Sequence, residues 1–138
     1  MAVLIDTAPL ITLERDDALE RLDGSVGDEE RAISVITASE LLDGVHRADG
    51  GRALRRRAFV EHILAAMDPV PITTAIARVH AQIWAALRAA GTPVGAHDLW
   101  IAATAVTHGW GVVTANVRDF ERVPGLRVIA FEGEDRRP

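Results

Sequence analysis

The stretch VGAHDLWIAATAVTHGWGVVTA (residues 94–115) decides the fold, because it joins a nearly all-apolar helix to a buried strand. After its first turn the helical part is apolar almost all round, as expected of a helix packed inside a core. The run 110–115 is short and apolar, which predicts a strand. The helix nevertheless opens with His97 and Asp98, and an ionised carboxylate is costly to bury without a partner. The sequence thus places a charged side chain at the entrance of a buried helix.

Strands and helices alternate along the rest of the chain. Apolar runs predict strands over 2–6, 32–36 and 126–131, and the two prolines of DPVPIT (68–73) predict a short edge strand there. Helical patterns lie between them, over 7–14, 16–24, 37–48, 52–67 and 74–90. This alternation predicts an α/β fold, a three-layer sandwich with a central, mainly parallel sheet flanked by helices. We expect one domain over residues 1–132, a polar turn region at 116–125 and a frayed tail at 133–138.

Composition excludes several classes of protein. The 138 residues are 49% apolar and 25% charged, with a net charge of −5, which is typical of a globular domain and not of a general polyanion binder. The chain has no cysteine, so it has no disulfides, thiol nucleophile or cysteine-bound zinc. All 15 basic residues are arginine, which excludes lysine chemistry. No apolar run is long enough for a membrane span and MAVLID lacks a basic signal region, so we expect a cytoplasmic protein.

Acidic side chains follow the predicted strands. Asp6 ends the first strand, Glu40 lies one turn into the helix after the second, and Asp98 lies in the first turn of its helix. Asn116 and Asp119 follow the strand GVVT. Because ligands of parallel sheets gather outside the carboxyl ends of the strands, these side chains can meet at one edge.

Each acid also has a structural explanation of its own. Asp6 and Asp119 suit turns, and Asp98 suits the positive end of a helix dipole. Glu40 completes a capping box with Thr37, and His97 is a capping or supporting group. These explanations do not predict that all four acids point to one sheet edge. Clustered carboxylates repel one another, and an all-oxygen ligand set favours Mg²⁺ or Mn²⁺, which activates water to hydrolyse a phosphodiester.

Four motifs in this order, LIDTAPLI, ISVITASELL, GAHDLWIAATAV and VVTANVRDFERV, resemble the PIN-domain nucleases. They are most similar to the VapC-like ribonuclease toxins of bacterial type II toxin–antitoxin modules. The resemblance covers the chain from Val3 to about Phe131. It implies a metal-dependent endoribonuclease that cleaves structured RNA such as transfer or ribosomal RNA. It also implies a homodimer that pairs with a cognate antitoxin.

The resemblance implies roles for individual residues. Asp6 and Asp98 would be the main metal ligands. Glu40 would bind the metal directly or through water and position the attacking water, while Asp119 would complete the pocket directly or through solvent. The supporting residues would be Thr7, Thr114 and Asn116.

Arginines offer further candidate contacts. Arg118 and Arg122 flank Asp119 and could contact a substrate phosphate. A second group near the start of the helix at 52 is either a solvated face or a site for RNA phosphates or an acidic partner segment. Its members are Arg52, Arg55, Arg56 and Arg57.

Three other classes compete with the toxin hypothesis. The chain could be a PIN-type nuclease of RNA processing outside any toxin pair, or a non-catalytic RNA-binding or interaction domain of the same fold. An aspartyl-phosphate phosphatase needs a second aspartate at position 8, where the chain has Ala8, and a receiver domain needs a lysine. The intact acidic set counts against the non-catalytic domain, and the missing aspartate and lysine count against the phosphate-handling proteins.

Overall fold

A computed structural model describes residues 2–16, 24 and 26–131. Its strands are β1 (Ala2–Ile5), β2 (Glu30–Ala32), β3 (Gly111–Thr114) and β4 (Arg127–Ala130). Its helices are α1 (Thr7–Asp16), α2 (Val35–Arg47), α3 (Gly50–Ala66), α4 (Thr74–Ala90), α5 (Ala96–His108) and the single turn α6 (Val117–Phe120). The predicted helix at 16–24 and the tail at 133–138 fall largely or wholly outside the described residues.

The four strands form one parallel sheet in the order β2-β1-β3-β4. The prediction of a mainly parallel sheet is therefore confirmed. β1 is a central strand, with Leu4 opposite Val112 of β3 and Ala32 of β2. Because all strands run the same way, their carboxyl ends share one edge, and the residues that follow β1 and β3 emerge there side by side.

The side chains of β1 alternate between two cores, which gives the fold its three layers. Val3 and Ile5 pack with the buried faces of α1, α2 and α3 on one side of the sheet. Leu4 packs with α4 and α5 on the other side, together with Phe120. Both faces of the sheet are covered, as a fully apolar strand requires.

The structure corrects the prediction for the second strand. The strand is Glu30–Ala32 and not 32–36, and α2 begins at Val35 and not at residue 37. The cause is Ser34, whose hydroxyl oxygen accepts the Ile36 backbone N–H at 3.0 Å and caps the helix. This cap stabilises the helix more than the strand preference of the β-branched Val35 and Ile36 disfavours it. Thr37, the predicted cap, is instead buried inside the helix, so the capping-box explanation of Glu40 is wrong.

Smaller differences follow from local chemistry. The proline-flanked segment 68–73 makes only an isolated parallel bridge between Val70 and Ser34, since Pro69 and Pro71 cannot donate hydrogen bonds to a neighbouring strand. The polar turn region contains the helical turn α6. The described part of the chain contains no helix that is long and apolar enough to cross a membrane.

Candidate active site

The carboxyl edge of the sheet brings four acidic side chains together from four parts of the chain. Asp6 directly follows the central strand β1 and is only 7% exposed. Glu40 lies in the second turn of α2, and Asp98 lies in the first turn of α5. Asp119 lies in α6, just beyond β3. All four stand where the sequence analysis expected them.

Asp6 is held by hydrogen bonds to both of its carboxylate oxygens. The Thr7 backbone N–H donates to Oδ1 at 2.8 Å, and the Thr114 hydroxyl donates to Oδ2 at 2.8 Å. The Thr114 hydroxyl oxygen also accepts the Asn116 backbone N–H at 2.9 Å. The ends of β1 and β3 are thus joined through side chains as well as through the sheet.

Asn116 links the other two aspartates. Its side-chain Nδ2 donates to Asp98 Oδ2 at 3.3 Å and to Asp119 Oδ2 at 3.1 Å. One amide group therefore sits between two carboxylates, where it offsets part of their repulsion.

Glu40 joins the cluster through Thr7. The Thr7 hydroxyl donates to Glu40 Oε1 at 2.7 Å, while its backbone N–H serves Asp6. His97 Nδ1 lies 3.4 Å from Glu40 Oε2, which makes His97 a supporting neighbour of this acid. The acids and the three predicted supporting residues form one connected network.

The electrostatics of the cluster disfavour full ionisation. Burial raises the pKa of Asp98 to about 6, and the charges of Asp6, Glu40 and Asp119 add to the rise, while the hydrogen bond from Asn116 opposes it. Burial also raises the pKa of Asp6, with a smaller contribution from the charge of Glu40. Among the described residues, each hydrogen-bond donor to Asp6 or Asp98 is neutral. Asp6 and Asp98 therefore have no cationic hydrogen-bond partner among the described residues.

The donor set suits a hard divalent cation. Within the described ranges, no group of three or more acidic or histidine side chains has the geometry to hold a metal ion. Mg²⁺ does not need one, since it keeps several waters and binds proteins through one or two carboxylates. Asp6 and Asp98 can supply these carboxylates, and a cation would offset both the burial of the Asp98 carboxylate and its repulsion by the neighbouring acids.

The two flanking arginines differ in their surroundings. Arg122 donates from Nη1 to the Pro93 carbonyl at 3.0 Å, and the same nitrogen lies 3.4 Å from Asp119 Oδ1. Arg118 is exposed, and no hydrogen bond or ion pair with the described residues holds it. Of the two, Arg122 belongs to the structure of the cluster itself.

One feature next to the site was missed by sequence reasoning. A cavity lined by Glu40 and Thr7 continues to Arg52 and Arg56, which the sequence analysis left open as either a solvated face or a site for RNA phosphates or an acidic partner segment. The available signal was the helical spacing of Glu40, Gly44 and Arg47, which places all three on one face of α2. Nothing in the sequence showed that α3 folds back along this face.

Comparison with known proteins identifies the family of this fold. The family model of the PIN domain matches residues 3–126. The chain is 34% identical over 136 residues to ribonuclease VapC1 of Rickettsia felis, and the aligned region covers 98% of this chain and 100% of the relative. It is 40% identical over 96 residues to the tRNA(fMet)-specific endonuclease VapC of Salmonella typhimurium, and the aligned region covers 70% of this chain and 71% of the relative.

A solved structure shows the same fold. The DNA-bound VapBC complex from Salmonella typhimurium contains a chain that superimposes with a TM-score of 0.84 and 32% identity, over 96% of this chain and 99% of that one. The family model covers most of the residues, and the relatives match along nearly the full length. The chain therefore belongs to the PIN-domain family, and within that family to the VapC ribonucleases.

Proposed function

We propose that this protein is a Mg²⁺- or Mn²⁺-dependent endoribonuclease, the toxin of a type II toxin–antitoxin pair, and that the acidic cluster is its active site. The observation that carries the proposal is the hydrogen-bonded network at the carboxyl edge of the sheet, which connects four acids from distant parts of the chain. Ribonuclease names among relatives that match 98% of the chain support the reaction class.

Asp6 and Asp98 are the proposed direct metal ligands, and Asp119 joins them directly or through water. These carboxylates would hold a Mg²⁺ or Mn²⁺ ion, which would supply a Lewis acid for the phosphodiester and lower the pKa of the attacking water. The hydrogen bonds from Thr114 and the Thr7 backbone fix both oxygens of Asp6 in place. Asn116 keeps the other two aspartates at a set spacing.

Glu40 is the proposed group that positions the attacking water. Its Oε1 is occupied by the Thr7 hydroxyl, so Oε2, which faces His97 at 3.4 Å, is the oxygen that can accept a proton from that water. Arg118 and Arg122 flank Asp119 and are proposed to contact the substrate phosphates. No covalent nucleophile is required.

The proposed substrate is a structured RNA, either transfer or ribosomal RNA. One relative is named a tRNA(fMet)-specific endonuclease, which supports transfer RNA. The similar VapBC structures support a cognate antitoxin as partner, and a homodimer is part of the same proposal. Such RNA substrates support a proposed location of the toxin in the cytoplasm.

The test uses purified protein, a transfer RNA mixture and mapping of new RNA ends. Asp6→Asn and Asp98→Asn each remove a ligand charge, and we expect at least ~100-fold slower cleavage, because several kcal/mol of transition-state stabilisation depend on the ion. EDTA should stop wild-type cleavage and Mn²⁺ should restore it. Asp68→Asn, at an exposed position outside the cluster, is the matched control and should retain full activity.

Two results would contradict the proposal. Unchanged cleavage in both cluster variants would show that the nuclease site lies elsewhere. RNA binding without turnover in Mn²⁺ would favour a non-catalytic domain. The toxin assignment is tested separately by expression with and without the adjacent gene, because a cognate antitoxin should abolish both the growth arrest and the RNA cleavage.

A further inference from the structure

A cavity of about 390 Å³ leads away from the acidic cluster on the α1–α2 side. Thr7 and Glu40 line it at the cluster end, and Arg52 and Arg56 of α3 line it at the far end. A second cavity of about 280 Å³ shares both arginines and adds Arg55. A surface rich in arginine, with Asp49 and Glu14 also in its lining, thus continues from the candidate catalytic residues.

One face of α2 forms the floor between the two ends. Glu40, Gly44 and Arg47 are spaced four and three residues apart, which stacks them along the same side of the helix. The rise of the helix separates the first from the last by roughly 10 Å along its axis. An RNA strand that follows this face from the acidic cluster therefore reaches the arginines within a few nucleotides.

Arg56 is fixed in the wall of the cavity. Its guanidinium pairs with Glu14 of α1, and only 17% of the Arg56 side chain is exposed. It also lies against Gly44, where an added Cβ would come within 3.0 Å of Nη1. The missing side chain at position 44 is what leaves space for this guanidinium beside α2.

Arg52 differs because its charge is available. It is exposed, it lines both cavities, and no acidic side chain of the described residues pairs with it. Arg47, in contrast, is bound by Asp43 at the position i−4. A guanidinium offers paired N–H donors that match two phosphate oxygens.

We propose that Arg52, supported by Arg56, binds a backbone phosphate of the RNA a few nucleotides from the bond that is cleaved. The inference rests on the proposed ribonuclease function and names a substrate contact for it. The protein carries a net charge of −5 and its acidic cluster repels RNA, so an available cation in the same cavity as Glu40 helps to hold the strand near the cluster. Because Arg52 contacts the phosphate and not a base, it strengthens RNA binding without contributing to sequence specificity.

The test compares Arg52→Gln with Arg57→Gln. Arg57 is an exposed arginine of the same helix that lines neither cavity, so both variants lose one charge from α3. The affinity for a fluorescein-labelled RNA is measured by anisotropy in EDTA, and cleavage is measured in Mg²⁺, both from 50 to 200 mM salt.

For Arg52→Gln we expect roughly 5-fold weaker RNA binding and an equal rise in KM, with kcat within about 2-fold of wild type. The slope of log affinity against log salt should become less steep by about 0.7, the value for one phosphate contact on a single strand. Arg52→Lys should recover part of the loss, because it keeps the charge without the paired donors. Arg57→Gln should change the affinity by less than about 2-fold.

The outcomes separate this inference from the proposed function. If wild type cleaves RNA and Arg52→Gln and Arg57→Gln have equal RNA affinities, the proposed phosphate site is wrong and the proposed nuclease function is unaffected. If wild type binds RNA through Arg52 but does not cleave it, the phosphate site stands and the nuclease fails. If Arg52→Gln leaves RNA affinity intact but weakens binding of the antitoxin, the cavity belongs to the protein partner and the inference is overturned. A wild type that neither binds nor cleaves RNA overturns both.

Discussion

Replacing Asp98 by asparagine should make the metal-free protein more stable at neutral pH. Burial and the neighbouring carboxylates raise the pKa of Asp98 from 3.8 to about 6 in the folded chain. A carboxyl group with a higher pKa in the folded state than in the unfolded state binds more protons when folded, so this group lowers stability as the pH rises. Below about pH 4 its penalty is absent, between pH 4 and 6 it grows, and above pH 6 it is complete. The neutral amide of the variant would carry no such penalty.

The size of the effect follows from the shift. Roughly two pH units correspond to ~3 kcal/mol at full weight. Asp98 is only half-buried, and solvent screens its interactions, so we reduce the expected gain to about 1–2 kcal/mol. The measurement is the free energy of unfolding in urea with EDTA present, at pH 7.5 and pH 4.5, for wild type and Asp98→Asn.

The control is Asp68→Asn, which changes an exposed carboxylate outside the cluster. Its unfolding free energy should stay within about 0.5 kcal/mol of wild type at both pH values. A loss of stability in Asp98→Asn at pH 7.5 would refute the electrostatic reasoning. So would a gain of equal size at pH 4.5, because a packing effect does not depend on the protonation of this carboxyl group.

Four further predictions concern the metal and the fold. Mg²⁺ at 100 times its Kd should stabilise the wild-type fold by about 2.7 kcal/mol, which calorimetry detects as a higher unfolding temperature. The unfolding temperature of Asp98→Asn should rise much less, and an equal rise in both proteins would show that the ion binds elsewhere. Thr114→Val removes the buried hydrogen bond to Asp6 and should cost about 1–3 kcal/mol in urea and at least ~10-fold in RNA cleavage, whereas unaltered cleavage would show that Asp6 needs no such support. Ser34→Ala should cost about 1 kcal/mol in urea by removing the cap of α2, and no loss would mean that packing alone starts this helix. Gly109→Ala places a side chain at φ 72°, after α5, and should lower stability by about 1 kcal/mol in thermal unfolding; a neutral result would mean that the helix end relaxes.

The parts of the fold that the sequence predicted well are those with a long or strong pattern. α4 was expected at 74–90 and is found at Thr74–Ala90, because a capping Thr73 and a left-handed Gly91 mark its two ends. β1 and β3 were recognised from apolar runs that are buried on both faces. Such signals are local, and the tertiary structure reinforces them.

The errors arose where two local signals competed. Val35 and Ile36 favour a strand, but Ser34 before them caps a helix, and the pairing of Val35 with Val70 is available only in the folded chain. The candidate site was predictable because acids at strand ends mark an edge that the topology then brings together. The arginine cavity was not, since it depends on how α3 packs against α1 and α2, and in the sequence RALRRR looks like any solvated helix face.

The bond between Thr114 and Asp6 joins residues 108 positions apart, and this separation has a consequence for synthesis. Asp6 and Glu40 are synthesised well before the strand that pairs beside β1 and before the residues around Asn116. A growing chain therefore carries half of the acids and no assembled catalytic centre. A nascent chain that stops short of Thr114 should therefore lack nuclease activity, because the candidate site needs residues from both ends of this interval.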